Sequence, residues 1–374
     1  MLHLKSTEMT KRNVLILGGY GTFGRHVSEG LAATSEAQVT IAGRNPGKGR
    51  PFAETLGVGF RQCDANDSAS LRNAVEDAWL VINASGPFKA TDYSIPQTCI
   101  DAGCHYIDMA DGRDYVANIV QLDEAASNQK VFVCAGASTT PAITSALVAE
   151  LQPQLGQIRS IQIALNAGNK NQAGVSTIST ILSYVGRPVR VWQDGRWQTM
   201  RGWSAGEFVQ FPPPVGRRRV QLCDVPDLEL FPRQFEVDDV IFKAGVELTI
   251  LNYAIAAMAK LKQFCPPLYL PSLARPLVSV SRLFKPFGTL HGGCAVWATD
   301  MDGRQKSVAL VTHENGPRIP ASPAILLARK MLAGEISDTG ACPCIGFLHL
   351  ADFAEFLAPF NIFVAHGENG IWAS

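Results

Sequence analysis

"NVLILGGYGTFG", residues 13–24, is an apolar β-type run that breaks into glycines and resumes with residues suited to a helix. Gly19, Gly21 and Gly24 have the spacing G-x-G-x-x-G. Phe23, Val27 and Leu31 then recur at helical spacing, which predicts a helix from about residue 22 whose first N–H groups point back into the loop. Such a helix start attracts an anion, because its free N–H groups and its dipole both favour negative charge. In a strand–turn–helix unit the first glycine permits the tight turn. The second lets a pyrophosphate approach the backbone, and the third lets helix and strand pack closely. Gly19, Tyr20, Gly21, Thr22, Phe23 and Gly24 are therefore read as a dinucleotide-binding loop, the alternative being a purely structural glycine turn.

Outward from this loop, β-rich runs at 13–17, 38–42, 58–63, 80–83, 105–108 and 131–134 alternate with helical stretches. Strands alternating with helices mean a parallel sheet, so a doubly wound Rossmann domain of the α/β class is expected over residues 1–152. The second strand runs into "IAGRNPGKG", residues 41–49. An NAD site would carry a carboxylate here, about 20 residues beyond the glycines, to hold the ribose hydroxyls. Arg44 and Lys48 instead offer cations to a 2′-phosphate, which favours NADP over NAD, although a solvated basic loop has the same composition. Asp64, after the third strand, is expected to meet the adenine, and Asp67 to cap the helix from 68. In "NASGPF", residues 83–88, Asn83, Ser85, Gly86 and Pro87 suit a backbone passing close to the nicotinamide ribose, and equally an ordinary turn.

Beyond about residue 155 the pattern changes to hairpins. "RVWQDGRWQT" carries Asp194-Gly195 between β-rich arms, and "WATDMDGRQKSVAL" carries Asp302-Gly303 in the same setting. With helices near 174–184, 244–262 and 273–284, this predicts a second α+β domain of mixed or antiparallel sheet over 153–320. Residues 321–374 return to helical periodicity, which predicts C-terminal helices. The stretch 244–262 holds Glu247, Asn252 and Lys260 and reads as a core helix, not a bilayer span. In "FPPPVGRRR", Arg217 to Arg219 are solvated or receive substrate carboxylates. Trp192, Trp197 and Trp203 cluster near the first hairpin, where they form a homodimer contact or pack on their own domain.

The 374 residues are 47% hydrophobic, more than one core normally supports, which fits two domains. Lysine plus arginine number 33 and aspartate plus glutamate 33, so the net charge gives no argument for a nucleic-acid partner or an anionic membrane. Nine cysteines without CxxC spacing, behind an N-terminus lacking an apolar signal region, fit reduced thiols in the cytoplasm. Cys342, Cys344 and His349 fall short of a closed four-ligand set, and no metal site is expected.

"LILGGYGTFG", "AGRN", "CDANDSASL", "VINASGPF", "CIDAGCHYIDMADG" and "VCAGASTTPAITSALVAEL" together resemble the saccharopine dehydrogenase family, in particular its shorter oxidoreductase-like members, over about residues 12–150. The resemblance implies NAD(P) binding at Gly19, Gly21, Gly24, Arg44, Asp64 and the 83–87 turn. It also implies hydride transfer at a C–N bond of an amino-acid-derived substrate, by imine reduction or secondary amine oxidation, and C-terminal helices over 321–374 that pack back on the Rossmann domain. "HYIDMADG" departs from the family's usual pattern, with Asp111 and Gly112 where glycine and glutamate are common.

Hydride chemistry needs a proton donor or acceptor beside the nicotinamide. Lys89, Tyr93, His105, Tyr106 and Asp108 follow the fourth strand or make up the fifth and are the candidates, each of which can instead be a packing residue. A short-chain dehydrogenase would need Tyr-x-x-x-Lys, but Tyr93, Tyr106, Tyr115 and Tyr184 are followed four positions on by Gln97, Ala110, Ile119 and Pro188. The alternative from another class is an NADP-binding protein without catalysis, a redox sensor or scaffold, because a dinucleotide site establishes binding only.

Overall fold

Val14 to Leu17 are all buried, so the first strand, β1 (Arg12–Leu17), is covered on both faces, as in a parallel sheet sandwiched by helices. The computed structural model describes residues 11–86, 88, 92–171, 174–264 and 269–373. β1 pairs in parallel with β2 (Ala37–Gly43), which pairs with β3 (Gly59–Gln62), and on its other side with β4 (Leu80–Asn83). β5 (His105–Asp108), β6 (Phe132–Ala135) and β15 (Gly340–Pro343) complete a seven-stranded sheet in the order β15-β6-β5-β4-β1-β2-β3. The strand order reverses between β1 and β4, the point at which an open α/β sheet binds its ligand. Helices α1 (Gly24–Ala32), α2 (Pro46–Leu56), α3 (Ser68–Val75), α4 (Ser94–Asp101), α5 (Arg113–Ala117) and α6 (Asp123–Asn128) make the crossovers. Side chains set two of their starts: Asn45 accepts from the Lys48 N–H, and Asp67 from those of Ala69 and Ser70.

The second sheet has ten strands. At its centre β7 (Ile158–Ala167) lies parallel to β12 (Asp239–Val246) and antiparallel to β13 (Gly292–Asp300). β10 (Glu207–Gln210) and β11 (Arg217–Leu222) extend one side, and β14 (Gln305–Thr312), β16 (Ile362–Glu368) and β17 (Ile371–Trp372) the other. The hairpin of β8 (Pro188–Gln193) and β9 (Arg196–Arg201) attaches to β12. Its turn residues Asp194 and Gly195 both have positive φ, 51° and 66°, which matches the twist of a two-residue hairpin loop. α7 (Thr144–Leu155) packs against β7, β13 and β14. The remaining helices are α8 (Val175–Tyr184), α9 (Asp227–Gln234), α10 (Thr249–Phe264), α11 (Ala274–Phe284), α12 (Arg318–Ala333) and α13 (Leu350–Leu357).

Three expectations change. The first helix begins at Gly24 rather than near residue 22, because residues 18–23 are spent on the turn. Residues 244–246 belong to β12, and the helix expected at 244–262 is α10, whose outward side is apolar and exposed rather than core. The segment 321–374 is not only helical. α12 packs on α1, β15 joins the first sheet, and β16 and β17 join the second, so the chain crosses between the sheets. The tryptophans pack within their own chain: Trp203 is buried, the Trp192 indole N–H donates to the Val237 carbonyl at 2.8 Å, and Trp197 lies under Arg190 and Arg113. The face of the second sheet opposite α7 is covered in part by Phe211 and Val215, from the proline-rich loop, and by Trp372.

The eight described cysteines are free thiols. Among the described residues no helix is long and apolar enough to cross a membrane.

Asp227, in the first turn of α9, is fully buried, and neither carboxylate oxygen has a hydrogen-bond partner. The Thr144 hydroxyl beside it donates to the Pro141 carbonyl at 3.2 Å. Burial pushes the Asp227 carboxyl up to about 7. Between about pH 4 and pH 7 the folded state keeps a proton that the unfolded chain gives up, so stability falls as pH rises through that window. Asp227→Asn is expected to flatten that slope and to stabilise the protein at pH 8 by about 1–3 kcal/mol. Denaturant unfolding at several pH values checks it; an unchanged slope would show that another group controls the titration.

Candidate active site

The carboxyl ends of β1, β2, β4 and β7 open on one cavity of about 810 Å³ between the two sheets. At one end lies the glycine turn. Its positive φ, 73°, belongs to Gly18, and not to Gly19, where the tight turn was expected. Gly19 is small because a Cβ would press on the Ser28 hydroxyl at 2.8 Å and on Ile41 at 2.9 Å. A Cβ at Gly24 would collide with the Gly18 carbonyl. These two glycines pack the loop and lie outside the cavity wall, whereas Gly18, Tyr20, Gly21, Thr22 and Phe23 line it. At Gly21 a Cβ would meet only the Gly18 carbonyl, at 3.0 Å, and otherwise take up open space. That vacant side is what a pyrophosphate needs, so the residues present fit a dinucleotide.

Tyr20 bridges to the second strand, its hydroxyl accepting from the Asn45 N–H at 2.9 Å, with its ring against Gly43. Arg44 is exposed in the cavity wall; Lys48 stands one turn into α2 and does not line the cavity. Asp64 lines the cavity and accepts from the Asn66 N–H at 3.1 Å. Asn83 is a brace: its amide donates to the Tyr106 hydroxyl at 3.1 Å and accepts from the Ser85 N–H and hydroxyl at 3.0 and 2.6 Å. This fixes Ser85 and Gly86 in the cavity wall. Pro87 and Lys89 lie outside the described residues.

The other sequence-based acid–base candidates sit away from the cavity. His105 begins β5, at the opposite edge of the sheet from the glycine turn, where Nδ1 accepts from the Phe132 N–H at 2.9 Å and the ring meets Trp79 edge-on. Tyr106 points into the core and is fully buried. Asp108 is also fully buried, its Oδ1 accepting from the Ala110 and Gly136 N–H groups at 2.9 Å each, so that it ties the ends of β5 and β6 together. Burial raises its carboxyl to about 6, with the backbone N–H of Gly136, then that of Ala110, opposing. The Tyr93 hydroxyl is committed to the Tyr115 carbonyl at 2.9 Å. Strand polarity accounts for the error with His105, since only the carboxyl end of a parallel strand faces the ligand.

The far chamber is built by residues the sequence reading passed over. Asp111 lines it with its residue exposed to the cavity, and desolvation by the protein packed around that opening holds its carboxyl above the usual carboxylate range. Tyr184, at the end of α8, lines it opposite; burial, then the neighbouring Cys223 thiol and the charge of Asp111, push its hydroxyl well above the usual tyrosine range. Asn166, near the end of β7, is buried in the wall with neither amide atom hydrogen-bonded, an unmet donor and acceptor that a bound amide or carboxyl group would satisfy. Asp111 carried one sequence signal, its place just after the fifth strand; Tyr184 and Asn166 carried none. Arg217, Arg218 and Arg219 stay out of the chamber, stacking on Phe208, pairing with Glu247 at 3.2 Å and stacking on Tyr253. Among the described residues Arg44 is the sole cation lining the cavity.

Closure comes from the second sheet. Gly174, which caps α8, would through a Cβ meet the Thr22 hydroxyl at 3.3 Å, so α8 starts on the glycine turn itself. Arg113, two residues after Asp111, is buried and donates to Glu229 at 2.6 Å, to Asp224 at 3.2 Å and to the Arg190 carbonyl at 2.6 Å.

The glycine turn, strand order and cavity define a Rossmann-type dinucleotide-binding protein whose second sheet closes the cofactor cleft. Residues 14–147 match the family model of the saccharopine dehydrogenase NADP-binding domain. The chain superposes on apo histidine-tagged saccharopine dehydrogenase (L-Glu forming) from Saccharomyces cerevisiae with a TM-score of 0.69. That match has 14% identity and covers 96% of this chain and 99% of the yeast one. A probable mitochondrial saccharopine dehydrogenase-like oxidoreductase from Arabidopsis thaliana is 28% identical over 113 residues, 26% of this chain and 25% of that relative, about a quarter of its length. Residues 14–147 thus form an NADP-binding domain of the saccharopine dehydrogenase type, and the chain as a whole shares the fold of the yeast enzyme.

Arg44→Ala is expected to weaken NADPH binding by about 1.5–3 kcal/mol and to leave NADH nearly unchanged, read by fluorescence titration. Equal losses would make Arg44 structural. Gly21→Val is expected to abolish NADPH binding with the circular dichroism spectrum intact, whereas Gly24→Val, which drives a side chain into the Gly18 carbonyl, is expected to lose the fold. Identical behaviour of the two variants would contradict this division of roles.

Proposed function

We propose that the protein is an NADP-dependent oxidoreductase that transfers hydride to or from the C–N bond of an amine or imine, with Asp111 as the acid–base group. Asp111 carries this reading. It is an acidic side chain in a chamber where no described lysine or arginine competes, which suits a substrate that is cationic at nitrogen. NADP(H), when bound, would supply the hydride; Gly21 and the α1 start would hold its phosphates, Arg44 its 2′-phosphate and the 83–86 turn its nicotinamide ribose.

In the reducing direction protonated Asp111 gives its proton to the imine nitrogen, which makes the carbon electrophilic, and the resulting carboxylate then faces the cation it has made. In the oxidising direction it takes that proton back. Enclosure by protein raises the Asp111 carboxyl and brings proton transfer closer to neutral pH. The Tyr184 hydroxyl, held protonated, serves as a fixed donor to the substrate. An amino-acid-derived substrate fits if its carboxylates are few, because Asn166 and neighbouring hydroxyls would have to hold them without a guanidinium.

The test is NADPH oxidation with pairs of amines or amino acids and carbonyl compounds. Turnover of at least one pair is expected. Asp111→Asn is expected to lower kcat by about 100-fold or more, to keep NADPH affinity within about twofold, and to remove the fall in reduction rate as pH rises past the Asp111 pKa. NADPH binding without turnover of any pair would favour a non-catalytic cofactor-binding protein, and unchanged kcat in Asp111→Asn would remove Asp111 from the chemistry.

A further inference from the structure

Ten of the large apolar side chains exposed on this protein fall between residues 250 and 290. They are ordered. On α10, Ile250, Ala254, Ala257, Leu261 and Phe264 follow helical spacing and all face outward, with Ile250 at 70% and Phe264 at 75% exposure. The inner side is anchored by Asn252, whose amide bonds the Val246 N–H and carbonyl at 3.1 and 2.7 Å. On α11 and the turn that follows, Pro276, Val280, Leu283 and Phe287 make a second outward stripe, with Leu283 at 72% and Phe287 at 69%. A helix on a water-facing surface normally turns such a stripe inward. Both helices flank α8: α11 and residues Leu270–Leu273 pack on it, and Gly186, just after its end, lies against Ala259 of α10.

The charge around these stripes has one sign. Residues 248–299 contain no aspartate or glutamate, although the whole chain balances at 33 and 33, and Lys260, Arg275 and Lys285 are exposed along the two helices and the turn that follows, while Lys262 is buried. The balanced total therefore hides a segregated basic, apolar surface. A two-fold contact between copies would lay this patch on itself and bring like charges together, with no acid inside the segment to neutralise them. An apolar layer under an anionic skin complements it. That pairing is the signature of an amphipathic helix lying in a membrane interface.

We infer that α10 and α11 form a peripheral membrane-binding face that takes a bilayer rich in anionic lipid, with the apolar side chains in the headgroup boundary and Lys260, Arg275 and Lys285 on the phosphates. No described helix spans a bilayer, so the contact is superficial. The inner side of α8 lines the chamber through Thr180, Ile181 and Tyr184, so the bilayer lies one helix away from the proposed active site. The inference does not depend on the hydride chemistry.

The test is co-sedimentation of the full-length NADPH complex with vesicles of phosphatidylcholine alone and of phosphatidylcholine with phosphatidylglycerol. Binding about tenfold stronger on the anionic vesicles and weakened by salt is expected. Leu283→Glu and the pair Leu261→Glu with Phe264→Glu should lose it, while NADPH affinity and the circular dichroism spectrum stay unchanged. Lys260→Glu with Lys285→Glu should lose the preference for anionic lipid. Absence of wild-type binding at low salt overturns the inference without recourse to any variant, as does equal binding to neutral vesicles. A concentration-dependent dimer that Leu283→Glu dissolves, with no vesicle binding, would assign the face to a second copy instead.

Discussion

Arg113 holds the two sheets in register over the cavity. Its guanidinium comes from α5 of the Rossmann half and finds its acceptors on Glu229, Asp224 and the Arg190 carbonyl, all in the second half, with Trp197 stacked beside it. Only 7% of this residue is exposed. A buried cation stripped of its partners costs about 3–5 kcal/mol, so the loop after β5 cannot leave the second sheet cheaply. Asp111 is two residues upstream, and its place in the chamber follows from that clamp.

With the sheets fixed, the division of labour follows from strand polarity. The Rossmann sheet sends the carboxyl ends of β1, β2 and β4 to one side, where small residues leave room for a dinucleotide. The second sheet supplies the far wall through β7 and α8. Charge is sorted along the cavity, with Arg44 in the wall at the end of β2 and Asp111 in the chamber walled by β7 and α8. Asp108 and Asn83 belong to the same construction as struts, one tying strand ends and the other holding the 83–86 turn.

The nucleotide half was largely legible in the sequence because its signals are local: glycines at fixed spacing, a basic residue at a strand tip, an Asp67 cap. Even there Gly18 rather than Gly19 takes the positive φ, since two adjacent glycines leave the choice to packing around Ser28 and Ile41. The chamber was not legible. Asp111, Tyr184 and Asn166 are separated by up to 73 positions and meet only because β7 and α8 fold over β5. His105 misled because it begins β5, whereas only the carboxyl end of a parallel strand faces the ligand. β15 was missed because "GACP" is short and carries no alternation. The exposed stripe of α10 was misread as core because periodicity shows that a helix has an apolar face without showing which way it turns.

The central claim is that one cavity seats NADP with its 2′-phosphate at Arg44 and its nicotinamide in the chamber beside Asp111 and Tyr184. A crystal structure of the NADPH complex tests it most directly. The account predicts the 2′-phosphate within hydrogen-bond reach of the Arg44 guanidinium and the nicotinamide C4 facing the space between Asp111 and Tyr184. A nicotinamide ring outside that chamber, or a 2′-phosphate held by other groups, would contradict it.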